Sequence, residues 1–222
     1  MAIKILISGY ENSGKSTLVS KINNGLVINC DFKEYTLKVP HFNVNDYKGY
    51  NDFKELVVSK IKAYKDKFNK LPEYVIFDTI TQLYNRMSKH NAKSYKGFEI
   101  HNKNEEDTFS INDFIETVLI NKGINTIIVA HTIVDELTGR HTIPAKGGFK
   151  KSGSWLSVVS EAIFIDRTST HHNVVIKSDK FPVRSLVERE GKEISIDVKE
   201  FDINKYLKEI TDIKIEVQEY EL

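Results

Sequence analysis

The sequence predicts an α/β fold: a mostly parallel central sheet flanked by helices, with antiparallel strands toward the C-terminus. Three observations carry that expectation. Short apolar runs rich in β-branched residues recur at 3–7, 26–30, 74–77 and 126–130. Two stretches between them place apolar residues at helical spacing. One holds Phe53, Leu56, Val57, Ile61, Tyr64 and Phe68; the other holds Ile111, Phe114, Ile115, Val118 and Leu119. Finally, a glycine-bounded turn at 9–16 follows the first run directly.

That turn is the most specific feature of the chain. Gly9, Gly14, Lys15 and Ser16 fit the phosphate-binding pattern G-x-x-x-x-G-K-[ST] at every fixed position. Residues 3–7 before it read as a strand. Residues 17–22 after it read as a helix that stops at Asn23, Asn24 and Gly25. The two glycines let the backbone curl so that its N–H groups point inward at an anion. Tyr10, Glu11, Asn12 and Ser13 supply the peptide groups between them, and Thr17 continues into the helix. In such a loop Lys15 reaches the β- and γ-phosphates, and the Ser16 hydroxyl ligates Mg²⁺.

Further along, 74–77 is a buried strand ending at Asp78, and Gly123 is the expected C-cap of the helix over 109–121. Residues 162–165, 173–176 and 183–187 read as strands with short connections, an antiparallel extension of the sheet. The alternating tail at 213–217 predicts an edge strand. Residues 85–107 and 132–153 lack periodicity, and structureless stretches of that length in a compact domain are usually functional or mobile.

Composition sets the bounds. With 222 residues the chain can form one α/β domain with a sizeable core; the expected division is a core to about residue 190 and an extension over 191–222. A net charge of +1 gives no global signal for nucleic acid, so local patches would have to serve such a partner. Cys30 is the single cysteine, which rules out an internal disulfide and suits a reducing compartment. The N-terminus enters a strand without a signal peptide, and no apolar run approaches membrane-spanning length. A cytoplasmic location is expected.

Four further residues are candidates for chemistry. A carboxylate at the C-terminal end of a central strand, Asp78, can hold Mg²⁺ through water; an Asp there also suits a helix N-cap. Asp31 follows the second strand and Glu34 lies three residues on; either could orient or deprotonate water, and a solvated turn carboxylate is the plain alternative. His131 ends the 126–130 strand, where it could sense a γ-phosphate or simply close the strand.

Taken in order, these blocks resemble the RecA-like ATPases. They are the loop at 9–16, the acidic Asp31, Val75-Ile76-Phe77-Asp78-Thr79, the strand ending at His131, Ser152-Gly153-Ser154-Trp155-Leu156 leading to 162–166, and Val175-Ile176-Lys177-Ser178-Asp179-Lys180. The short form is similar to the phage-encoded RecA-like single-strand annealing ATPases. That resemblance implies a RecA-like P-loop core, binding of ATP and Mg²⁺, and ATP-dependent binding and annealing of single-stranded DNA. It also implies a homo-oligomer, ring or filament, and allows a single-stranded-DNA-binding protein as a further partner. Asp31 takes the catalytic glutamate's place one methylene short, and His131 the place of a glutamine coupling nucleotide to DNA. Lys177 and Lys180 fall where cations act across a subunit interface, one residue off the usual spacing, with Arg184 as an alternative.

The two aperiodic segments occupy the places of the family's DNA-binding loops. The first carries Arg86, Lys89, Lys93, Lys96 and Lys103 with Tyr95 and Phe98; the second carries Lys146, Lys150 and Lys151 with Phe149. Cations along a backbone and aromatics for stacking suit single strands. Two other readings stay open: a P-loop kinase, although no arginine-rich lid is evident, and a non-hydrolysing module for which ATP is an assembly switch. A GTPase fits less well, because Asn121-Lys122-Gly123-Ile124 lacks the aspartate of a guanine-reading motif. His171 and His172 read as a hairpin turn.

Overall fold

The computed structural model describes residues 2–31, 33–144, 149 and 154–218. An eight-stranded sheet runs through the molecule in the order β10-β9-β8-β1-β5-β4-β2-β3. Its centre is β1 (Lys4–Gly9), β5 (Asn125–His131), β4 (Tyr74–Asp78) and β2 (Gly25–Asn29), all parallel, with β3 (His41–Asn43) parallel at one edge. On the other side β8 (Glu161–Arg167) is parallel to β1. Then β9 (His172–Lys177) and β10 (Ile194–Asp197) turn antiparallel. The predicted α/β class, with a parallel centre and antiparallel C-terminal strands, is the observed one.

Side chains alternate along the central strands, so each strand feeds two cores. Leu6, Ile28, Val75, Phe77, Ile128 and Ala130 face one layer, covered by α2 (Tyr50–Phe68), α3 (Ile80–Asn91) and α4 (Phe98–Phe114). Ile5, Ile7, Val27, Ile76, Ile127 and Val129 face the other, covered by α1 (Lys15–Val19) and α6 (Ile203–Gln218). A four-residue helix, α5 (Ser154–Ser157), brings Trp155 to the first core. After α4 the chain passes through a π-turn at 115–119 and a 3₁₀ turn at 120–122, and Gly123 closes it at φ 77°, as a C-cap glycine should.

Four expectations need correction. Residues 85–107 are not aperiodic loop: most of them belong to α3 and α4. The buried positions of these two helices include Arg86, Asn91, Asn104, Asp107 and Thr108, polar residues that break the apolar stripe. Burial is made tolerable by mutual bonds: Asn91 Nδ2 donates to Asn104 Oδ1 (2.9 Å) and Asp107 Oδ2 (3.1 Å), and Tyr47 Oη donates to Asp107 (3.2 Å). The tail at 213–217 continues α6 rather than forming an edge strand; Ile203, Tyr206, Leu207 and Ile210 set a helical stripe on the second core, and the helix runs on from it. Residues 183–187 form no strand, only an isolated antiparallel bridge between Ala162 and Arg184. Finally, the helix after the 9–16 loop ends at Val19, three residues sooner than expected.

Within 132–144 a small hairpin forms from β6 (Ile133–Val134) and β7 (His141–Thr142). Lys146, Lys150 and Lys151 lie outside the described residues.

Candidate functional site

The parallel strands end together, and their ends carry the residues singled out from sequence. Register aligns Gly9 with His131 across β1 and β5, and Asn29 with Asp78 across β2 and β4. An open cleft of about 530 Å³ lies there. It is lined by residues 11–17, Asp31, Lys33, Thr79, Gln82, His131 and Arg167. That volume is within the range of small-molecule sites, and the position outside the carboxyl ends of the strands is where open α/β sheets bind ligands.

The loop is shaped by its two glycines. A Cβ on Gly9 would lie 2.8 Å from the Ile165 carbonyl oxygen and 2.6 Å from Ser13 Oγ, so no side chain fits. Gly14 sits at φ 93°, a left-handed conformation that other residues resist. Asn12 also lies in the left-handed region, at φ 59°, which Asn tolerates better than most. Tyr10 turns its ring out of the cleft and packs edge-on against Phe164, with its hydroxyl 2.5 Å from His141 Nδ1 in β7.

Lys15 folds over the loop. Its Nζ donates to the carbonyls of Gly9 (3.0 Å) and Tyr10 (2.5 Å) and lies 3.4 Å from Ser13 Oγ. Burial lowers its pKa to about 8, against the opposing pull of Asp78, Asp31 and Glu11. Asp78 is 1% exposed, and among the described residues its carboxylate oxygens make no hydrogen bond of full geometry, though the Ser16 and Tyr35 hydroxyls approach them. Burial raises its pKa to about 6; the Ser16 hydroxyl opposes this, Asp31 adds to it, and the Tyr35 hydroxyl and Lys15 oppose it. A buried carboxylate without full hydrogen bonds is costly, and such groups ordinarily coordinate a cation or find a charge.

Asp31 reaches the cleft and is held there. Its N–H donates to Asn29 Oδ1 (3.1 Å), and its Oδ1 accepts from Thr79 Oγ1 (3.1 Å). Glu34 is exposed and lines a neighbouring hollow, which shares Asp31 and Lys33 with the cleft and includes Asn43, Asn45 and Arg86 but not Lys15. His131 lines the cleft, its backbone N–H bonded to Thr81 Oγ1 (3.0 Å). Burial first, and then Lys15, lower its pKa, against Asp31 and Glu11, which favours the neutral imidazole.

Lys177, Lys180 and Arg184 do not line this cleft. Lys177 donates to the Arg189 carbonyl, Lys180 lies 5.0 Å from the Phe181 ring centroid, and Arg184 donates to the Ser157 carbonyl (3.4 Å). Of the first basic segment, Arg86 is buried and donates to the Val44 carbonyl. Lys103 pairs with Glu106 (3.2 Å) and Asp107 (3.1 Å). Lys93, Tyr95, Lys96 and Phe98 stay exposed at the turn between α3 and α4, Phe98 to 86%.

Two residues of the β8–β9 hairpin reach the loop: Arg167, which the sequence did not mark, and His172, which the sequence suggested only as part of a turn. Arg167 Nη1 donates to the Asn12 carbonyl (2.9 Å), and His172 Nε2 lies 2.8 Å from the Ser13 carbonyl. Arg167 stands one residue past the strand block that ends at Asp166, and nothing local marks it. His172 begins β9 rather than lying in the turn.

The residues present fit a Mg²⁺-bound nucleotide. The glycine cradle excludes a Cβ, Asp78 offers two oxygens without a hydrogen bond of full geometry, and the Ser16 hydroxyl stands close to it. Among the described residues there is no cluster of three or more His, Cys, Asp or Glu side chains able to hold a metal alone. Among them, too, no helix is long and apolar enough to cross a membrane. A family model described as an AAA domain matches residues 1–147 of the 222. A search of curated proteins finds no match.

Proposed function

The chain belongs to the AAA-domain family, and from that premise we propose that it is an ATP-dependent protein of the RecA-like kind that binds and anneals single-stranded DNA. Membership in this family of P-loop ATPases carries nucleotide binding with it, typically with Mg²⁺. The observation that supports the nucleotide part of this reading is Asp78: 1% exposed, at the end of a central strand, beside Ser16 of the phosphate loop. In this proposal the N–H groups of residues 10–15 and the Lys15 ammonium hold the β- and γ-phosphates of ATP. Ser16 and Asp78 would hold Mg²⁺, which would neutralise charge on the phosphates. Asp31, fixed by Asn29 and Thr79, orients the attacking water, and neutral His131 hydrogen-bonds the γ-phosphate.

The DNA part rests on the resemblance to the short phage-encoded annealing ATPases and on the exposed turn at 92–98. There two lysines, a tyrosine and a phenylalanine offer backbone neutralisation and base stacking together. In the same proposal copies of the chain assemble, and Lys177, Lys180 or Arg184 of one approaches the ATP of the next. The setting is the cytoplasm of a host cell, with a single-stranded-DNA-binding protein as a further partner. One observation favours a second reading, in which ATP is a switch without turnover: Asp31 is short and already engaged by Thr79.

Phosphate release with and without single-stranded DNA separates these. Stimulation by DNA supports the first reading. ATP binding without turnover, at any DNA concentration, supports the second.

A further inference from the structure

We infer that Arg167 and His172 are positioning residues that hold the phosphate loop in its binding conformation. The inference rests on the nucleotide reading of the 9–16 loop and extends it to an element outside the motif. The two side chains grip successive peptide units. Arg167 Nη1 donates to the Asn12 carbonyl at 2.9 Å. His172 Nε2 is 2.8 Å from the Ser13 carbonyl, and a carbonyl only accepts, so Nε2 carries the proton.

A trans peptide points its C=O and N–H in opposite directions. Fixing the Asn12 and Ser13 carbonyls therefore also fixes the N–H groups on the opposite sides of those peptides: that of Ser13, which closes the loop by donating to the Tyr10 carbonyl (3.3 Å), and that of Gly14. Inward N–H groups are what a phosphate nest consists of. The loop needs such help. Asn12 and Gly14 are both left-handed, at φ 59° and 93°, and the following helix is only five residues long. The His172 ring also stands 3.2 Å from where a Gly14 Cβ would be, so it limits how far the loop can swing back. Both gripping residues flank the turn of one antiparallel hairpin, β8 to β9, which is anchored to β1 through β8. The sheet itself thus sets the loop, before any ligand arrives, and the ordering entropy is met in folding rather than in binding.

The test is Mg-ATP affinity by calorimetry, with the melting temperature of the nucleotide-free protein measured alongside. The variants are His172→Ala, His172→Gln and Arg167→Ala, with Lys15→Ala as control. Each alanine variant is expected to weaken Mg-ATP binding about tenfold. His172→Gln, whose amide N–H can take the Nε2 place, is expected to stay within about threefold of the parent. If both alanine variants bind as the parent does while Lys15→Ala loses binding, the brace is overturned and the nucleotide site stands. Equal losses in His172→Ala and His172→Gln, with equal falls in melting temperature, would also overturn it, since general packing then explains the effect. If Lys15→Ala binds normally, the nucleotide reading itself fails and the brace goes with it.

Discussion

At the residue scale the site is defined by two groups whose charges are held in tension. Lys15 is buried, and its pKa is lowered to about 8. A bound polyphosphate favours the charged form, so nucleotide affinity should fall by up to about tenfold per pH unit as pH rises above 8. Asp78 titrates in the opposite sense. Its pKa is about 6 in the fold against 3.8 unperturbed. Between those values the folded state holds a proton that the unfolded state has lost, so stability falls as pH rises through that window and stays lower above it. Asp78→Asn should therefore stabilise the metal-free protein at pH 7.5 by about 1–3 kcal/mol, seen in urea unfolding with EDTA present. The same variant should lose the Mg²⁺ dependence of ATP binding. A stabilised protein with impaired binding is the signature of a group retained for function at a cost to the fold.

At the element scale, what could be read from the sequence followed how local the signal was. The phosphate loop, β1, β2, β4 and β5 declare themselves, because a parallel strand buried on both faces is a plain apolar run. The α3–α4 pair does not, because Asn91, Asn104, Asp107 and Thr108 bury hydrogen-bonded polar atoms where periodicity expects apolar ones. Reading those residues as loop spread the expected DNA surface over 85–107; with the helices in place, the proposed surface is the turn at 92–98. In the site, Lys15, Asp31, Asp78 and His131 were legible from strand ends. Arg167 and His172 were not, since their contact with residues 12 and 13 spans more than 150 residues of chain. The narrowed surface gives a direct expectation. Lys93→Glu with Lys96→Glu should weaken single-stranded DNA binding and shrink the slope of log K against log salt by about 1.4, because two phosphates are no longer neutralised. An unchanged slope would remove that turn from the DNA site.

At the scale of the whole molecule, the sheet divides structural from chemical duties. The second core depends on α6, whose Ile203, Tyr206, Leu207 and Ile210 join it from far along the chain. Asn204 ties the same helix to the turn after α1, its Oδ1 accepting from Asn23 N–H (2.8 Å) and its Nδ2 donating to the Lys21 carbonyl (3.0 Å). Leu207, 1% exposed, should cost about 2–4 kcal/mol on truncation to alanine and leave Mg-ATP affinity of the folded protein unaltered. A large loss of affinity there would mean that the two cores are coupled through the loop.

The central claim is that residues 9–16 and Asp78 form a Mg²⁺-dependent ATP site, and calorimetric titration with ATP tests it most directly. The titration compares the parent, with Mg²⁺ and with EDTA, against Lys15→Ala at pH 7.5. Saturable binding by the parent is expected, weakened by EDTA and lost in Lys15→Ala, with the variant's circular dichroism unchanged. Binding of equal affinity in parent and variant would contradict that claim.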